Sequence, residues 1–268
     1  MQIKKSNGIA TSRKCCSKKN NLISSAGMNI SKIIKSYLES LGIILTDNQF
    51  AQIDRLGVAM LEDPLYKSVS KISDPNEIAI KHFLDCLIPF SLGIPFEKSK
   101  TIIDLGTGGG FPCLPFAIML PNTNLIAVDS RKKSVEFVIR MSKLVGLNNV
   151  TGVHSRIEDL AHDSKFRENS DYVICRALSS VRTLAEYTLP LTKNEGYSFY
   201  LKGPKLDEEL SEASNAFSVL GVKSENLSCF RVSPPLIPFE RNFLLIKKES
   251  SIPAKYPRKS GLPSEKPL

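Results

Sequence analysis

From Ile30 onward, apolar residues recur at three- and four-residue steps: Ile30, Ile33, Ile34, Tyr37, Leu38 and Leu41. That period predicts an amphipathic helix, and Gly42 is placed to stop it. Thr46 or Asp47 can cap a second helix with Phe50, Ile53, Leu56, Val58, Met60 and Leu61 as its apolar positions, and Pro64 lies beyond its end. In Asp74-Pro75-Asn76-Glu77 a capping acid is followed by proline at the first helical position and glutamate at the third, a capping-box arrangement. The helix it opens carries Ile78, Ile80, His82, Phe83 and Leu84. The N-terminal third is therefore predicted to be helical.

At Lys100 the pattern changes. Thr101–Leu105 is a short apolar strand with Asp104 near its end, and the run 125–128 ends in Asp129. Further strands are predicted at 149–153, 172–175 and 197–201, then at 227–232 and 242–248 around a Ser233-Pro234-Pro235 turn. Helical patterns fall between them at 111–120, 132–145, 180–189 and 205–220. Continuous apolar strands alternating with helices predict an α/β fold with a mostly parallel sheet covered by helices on both faces. Residues 250–268 hold four prolines and no period, which predicts a basic extended tail. The expected organisation is an arm over 1–27, a helical subdomain over 28–98, the α/β domain over 99–249 and the tail.

Composition narrows the class. With 268 residues, 42% apolar and 24% charged, wholesale disorder is excluded. The longest apolar run, 83–94, is broken by Asp85, Pro89 and Gly93, well short of the roughly 20 residues that cross a bilayer. Six cysteines without a C-x-x-C pair, and three scattered histidines, predict no structural metal and a reduced, cytoplasmic protein. The formal charge of +9 is uneven. Residues 1–38 hold eight basic residues and no acid, residues 247–268 six basic and two acidic, and the body between them 22 basic against 25 acidic. Cationic ends on a near-neutral body suit a polyanion partner; a solvated tail accounts for the same charges. Residues 1–27, rich in Lys, Ser and Asn, read as a disordered basic arm, and a targeting segment or a stretch upstream of a start at Met28 fits them equally.

The most informative stretch is Asp104-Leu105-Gly106-Thr107-Gly108-Gly109-Gly110-Phe111, which joins a predicted strand to a predicted helix. Glycines let the backbone turn tightly and approach a ligand, and the helix beyond offers its free N–H groups. Asp129 ends the next strand, where a carboxylate can accept from both hydroxyls of a ribose. The dinucleotide pattern G-x-G-x-x-G fails, because its sixth place is Phe111 or Cys113, and no Gly-Lys-Ser/Thr phosphate loop occurs. The remaining Asp-x-Gly-x-Gly-x-Gly suits S-adenosylmethionine, whose cationic amino-acid end needs carboxylates and carbonyls rather than an anion clamp.

The reacting group in such folds sits above the fourth strand, here Asp171-Tyr172-Val173-Ile174-Cys175-Arg176-Ala177. The Asn/Asp-Pro-Pro-aromatic turn of amine methylation is absent, and neither Cys113 nor Cys175 has the surroundings of a carbon-5 nucleophile. Arg176 stands out, because an arginine after a buried strand needs an anionic or π partner. A structural ion pair with Asp104 or Glu158 explains it as well as a substrate contact does. Lys132, Lys133, Arg156, Lys202 and Lys205 all follow strand ends, so with Arg176 four loops supply cations to one rim, as an RNA approach requires.

Asp74-Pro75-Asn76-Glu77, His82-Phe83-Leu84-Asp85, Ile103 through Pro112, Val128-Asp129-Ser130, Ser155-Arg156-Ile157-Glu158 and Cys175-Arg176-Ala177 occur in that order. Together they resemble the RsmG family, also called glucose-inhibited division protein B, over about Met28 to Leu268. The tail from Lys255-Tyr256-Pro257-Arg258-Lys259 to Leu268 resembles family tails too. The resemblance implies a class I S-adenosylmethionine-dependent methyltransferase, Rossmann-like, that modifies guanine N7 in 16S ribosomal RNA of the small ribosomal subunit; a monomer is expected. It implies cofactor contacts from Gly106, Phe111, Ile157, Glu158 and Arg176, with Asp129 on the ribose and Asp104 and Gly108 in the same loop system. It implies RNA or substrate contacts from Lys133, Arg156, Arg176 and Lys202, and the tail adds Arg258 and Lys259.

The implied chemistry fits the missing motifs. Guanine N7 carries an unprotonated lone pair, so no general base or covalent cysteine is needed and catalysis reduces to alignment and exclusion of water. A nicotinamide dehydrogenase and a non-catalytic RNA-binding protein that kept the fold are the competing readings. The glycine pattern opposes the first, and retention of Asp104, Gly106, Asp129 and Arg176 opposes the second.

Overall fold

The structure, a computed structural model, describes residues 29–268; the arm expected over 1–27 lies outside the described residues. The strands are β1 (Thr101–Leu105), β2 (Asn124–Asp129), β3 (Val150–His154), β4 (Ser170–Arg176), β5 (Thr192–Lys202), β6 (Leu227–Val232) and β7 (Arg241–Lys247). They form one seven-stranded sheet in the order β3-β2-β1-β4-β5-β7-β6. The first five are parallel; β7 runs antiparallel between β5 and β6. The turn between β6 and β7 is too short for a crossover, so those two strands can only pair antiparallel. This is the class I methyltransferase arrangement, Rossmann-like with one reversed strand.

Alternate strand residues serve opposite faces. Ile102 of β1 joins the core that holds Phe116, Phe137 and Phe199, whereas Ile103 and Leu105 join the core of Leu184, Ala185 and Tyr200. The first core continues without a break into Ile30, Ile34, Ile53, Leu56 and Phe83. The helical third thus has no core of its own; it is the cover of one sheet face, and the expected boundary near residue 98 is not a boundary between cores.

Local signals place most helices. Helix Ile30–Ser40 ends before Gly42, which takes φ +70°. Thr46 caps helix Asp47–Glu62 in a full capping box with Gln49. The Asp74 carboxylate accepts from the Glu77 amide at 2.9 Å, but Glu77 turns to Lys81 instead of back to the cap, so only half of the expected box forms. Helix Pro75–Ile78 widens into a π-helical stretch, Ala79–Leu84, before Asp85–Leu87. Helix Lys132–Val145 matches its expected bounds, whereas the single helix expected over 205–220 is two, Leu206–Glu212 and Ser214–Val219.

The C-terminal segment corrects the expectation of an extended tail. Ile252 and Tyr256 are buried in the second core, and Leu262–Glu265 is a short helix. Arg167 fastens the segment by donating to the carbonyls of Ile252 and Tyr256 at 2.8 and 2.9 Å. These contacts are all long-range, so neither proline content nor local period reports them.

Candidate active site

The glycine loop leaves β1 with Gly106, Gly108 and Gly110 at φ +70°, +53° and +86°. A side chain is strained in that region, and at Gly106 a Cβ would also lie 2.7 Å from Leu178 Cδ1. Asp129 fastens the loop to the next strand: its carboxylate accepts from the Gly108 amide at 2.9 Å and the Arg131 amide at 2.8 Å. Asp104 lies under the loop, fully buried. Both of its carboxylate oxygens lack a hydrogen-bond partner, and the Thr107 hydroxyl and Cys113 amide lean toward it without closing a bond. Burial pushes its carboxyl up to about 7.

Beside the loop opens a cavity of about 360 Å³. Gly106, Asp129, Arg156, Ile157 and Glu158 line it together with Leu178 and Tyr187. Glu158 is buried, and its Oε1 accepts from the Gly261 amide at 2.8 Å and meets Tyr187 Oη and Arg156 at 3.4 Å each. The C-terminal segment is thereby drawn to the wall, where Ser264 is also exposed to the cavity. Two acids facing one hollow at the carboxyl ends of parallel strands suit a ligand rich in donors.

Past Ala177, which lines both, lies a second cavity of about 680 Å³. Arg176 forms its floor. Its guanidinium donates to Asp85 Oδ2 and the Lys81 carbonyl at 2.8 Å each, meets His82 Nδ1 at 3.1 Å and lies 5.7 Å from the centre of the Phe111 ring. The partner is therefore Asp85 from the helical third, not Asp104 or Glu158. Arg241 at the head of β7 pairs with the other oxygen of Asp85. His82 stacks on Phe111 at 4.5 Å, and burial, helped by the Arg176 charge, holds its imidazole down at about 4. Lys202 and Glu209 also line this cavity.

The family model for rRNA small subunit methyltransferase G (GidB) matches residues 67–237. The chain is 37% identical over 236 residues to the ribosomal RNA small subunit methyltransferase G of Desulforamulus reducens, covering 88% of this chain and 97% of that one. It is 38% identical over 239 residues to the protein of the same name from Lactobacillus johnsonii, covering 88% and 99%. The chain belongs to the rRNA small subunit methyltransferase G family. Among solved structures, the cofactor-bound Rv0187 from MTB shares the fold of this methyltransferase G relative, with TM-score 0.51 and 14% identity over 81% of this chain and 97% of that one.

The residues expected at the site fall into three groups. Gly106, Asp129, Arg156, Ile157 and Glu158 meet in the first cavity, and Arg176 and Lys202 in the second. Phe111, Asp104 and Gly108 line neither: Gly108 lies in the loop and donates its amide to Asp129, Asp104 is buried, and Phe111 packs on His82. The expected RNA cations Lys133, Arg156 and Lys202 lie at the carboxyl ends of β2, β3 and β5, which run parallel. Lys133 and Lys259 are exposed, and Lys202 pairs with Glu209 at 2.6 Å. Arg156 is also tied down, to the Ser260 hydroxyl at 3.0 Å. Arg258 is a correction. It donates from its backbone and guanidinium to Glu186, whose side chain is fully buried, and so it is an internal partner of the fold.

Sequence reasoning missed Leu178, Tyr187 and Ser264 around the first cavity and Asp85, Glu209, Phe239 and Arg241 around the second. One signal was present for Asp85, an acid inside the apolar run 83–94. Buried acids are rare without a cation, so that position demanded a distant arginine.

Proposed function

We propose that this chain transfers the methyl group of S-adenosylmethionine to N7 of a guanine in 16S ribosomal RNA of the small ribosomal subunit. The observation that carries the reading is the pair of cavities meeting at Ala177, one walled by Asp129 and Glu158, the other floored by Arg176. When bound, the cofactor supplies an electrophilic methyl on a cationic sulfur. The residues fit such a group: the side-chain-free turn at Gly106 leaves room, and Asp104 is a buried carboxylate with no partner of its own.

Asp129 holds the ribose hydroxyls, because each carboxylate oxygen keeps a lone pair after accepting one backbone amide. Ile157 and Glu158 flank the adenine. Arg176 stands at the junction and positions the guanine, its own place set by Asp85 and Phe111. No side chain has to remove a proton, because N7 has none. The burial of Cys113 and Cys175, whose thiols are pushed far up, agrees with a reaction that uses no thiolate. The chain's work is to align the reactants and exclude water.

The test is transfer of labelled methyl to small-subunit particles and to bare 16S RNA, followed by mapping of N7-methylguanine with and without this gene. Label at one guanine N7 that disappears with the gene is the expected result. Label on an exocyclic amine or a pyrimidine carbon would sink the assignment.

A further inference from the structure

Guanine and adenine both expose an unprotonated N7, so N7 transfer does not by itself choose between them. The choice has to be read on another edge. Guanine presents the O6 acceptor beside its N1–H and N2–H₂ donors, whereas adenine presents an amine donor beside an acceptor nitrogen. A base held out of its stack is read on that edge.

The second cavity contains one donor–acceptor pair in guanine's complementary order. Lys202 Nζ donates to the Ser179 carbonyl at 3.0 Å and lies 2.6 Å from Glu209 Oε2, leaving one ammonium hydrogen to spare. Glu209 Oε2 also accepts from the Val181 amide at 2.8 Å. Its Oε1 has no partner among the described residues. Ser179 lies in the loop that follows Arg176 and Ala177, and Val181 opens the helix Val181–Thr188 directly after it, so the segment that divides the two cavities leads into the amide that fixes this pair. Asp85, the other acid of the cavity, is only 1% exposed and its oxygens face Arg176 and Arg241, so it does not reach a base.

Resting on the methyl-transfer reading above, we propose that Glu209 and Lys202 are the guanine-specifying pair. Glu209 Oε1 accepts from N1–H and N2–H₂, and Lys202 donates to O6. Adenine sets a donor against the ammonium and an acceptor against the carboxylate, and is rejected twice over. The same carboxylate helps the reaction forward. Methylation leaves the base cationic and its N1–H a stronger donor, so Glu209 binds the product-like base better than the reactant.

The experiment is single-turnover methylation of small-subunit RNA carrying guanine or inosine at the target, with the parent chain and Glu209→Gln. Inosine keeps N7, O6 and N1–H and lacks only the N2 amine. The parent is expected to favour guanine RNA about ten- to a hundredfold, and Glu209→Gln to bring that ratio within about threefold by losing rate on guanine RNA. Equal losses on both RNAs would assign Glu209 a structural role at the Val181 amide and overturn the proposal. A parent ratio near one overturns it without any variant, including the case where Glu209→Gln does not fold. Absence of transfer by the parent to either RNA overturns the methyltransferase reading, and the specifying pair with it.

Discussion

Arg258→Ala separates an internal ion pair from an RNA contact. Glu186 is fully buried, and Arg258 supplies it with Nε at 2.9 Å, Nη2 at 2.7 Å and its own backbone amide at 2.7 Å. The alanine variant keeps only the amide and leaves a carboxylate charge stranded in the second core. Removing one partner of a buried pair costs about 3–5 kcal/mol. The Arg258 side chain is 24% exposed, so water can reach the vacated space, and the lower end, about 3 kcal/mol, is the expected loss. For a chain of this size that lowers the melting temperature by roughly 6–12 °C. Thermal unfolding followed by circular dichroism measures it, and Glu186→Leu combined with Arg258→Ala should recover part of the loss, since no charge is then stranded. RNA affinity across a salt series should keep its slope in every folded variant. Unchanged melting, together with a log–log slope reduced by roughly 0.7–0.9, would show that Arg258 serves a phosphate and that the internal pairing is wrong.

Gly106→Val should fold and lose cofactor affinity by more than about tenfold, because a β-branched residue at φ +70° is strained by roughly 1–2 kcal/mol and its Cβ crowds Leu178; calorimetric titration with S-adenosylmethionine giving an unchanged Kd would refute it. Cys175→Ser should stay within about tenfold of parent activity, since attack by N7 needs no thiolate; a folded but dead variant with a trapped RNA adduct would favour carbon-5 chemistry. His82, held at about 4 in the folded chain, binds fewer protons than its unfolded form below its ordinary pKa of about 6.5. Its contribution is therefore complete above pH 6.5 and is lost as pH falls toward 4, by about 2 kcal/mol at pH 5. Denaturant unfolding from pH 7 to 5 should fall more steeply for the parent than for His82→Asn, and equal slopes would refute the neutral, stacked histidine.

The strands and the cofactor loop were legible in the sequence because their signals are local. A run of apolar residues ended by Asp104 or Asp129 reports burial on both sheet faces and the point where the chain emerges from it. Glycines between strand and helix report a turn, and Thr46 or Asp74 reports a cap, each within a few residues. Only the tertiary structure decided who partners whom. Arg176 demanded an anion on sequence grounds, but Asp85 stands 91 positions away, and its one local signal, an acid among apolar residues, is shared by Asp104. Glu209 stands 28 positions from the Val181 amide it accepts from, and faces the cavity only because Lys202 and that amide fix it there. The C-terminal segment misled for the same reason. Prolines and cations suppress periodicity, while the contacts that bury Tyr256 and pair Arg258 with Glu186 come from residues 72 or more positions upstream. Periodicity records which side of a segment is buried; it carries no information about the segment that buries it, because that contact depends on the path of the whole chain.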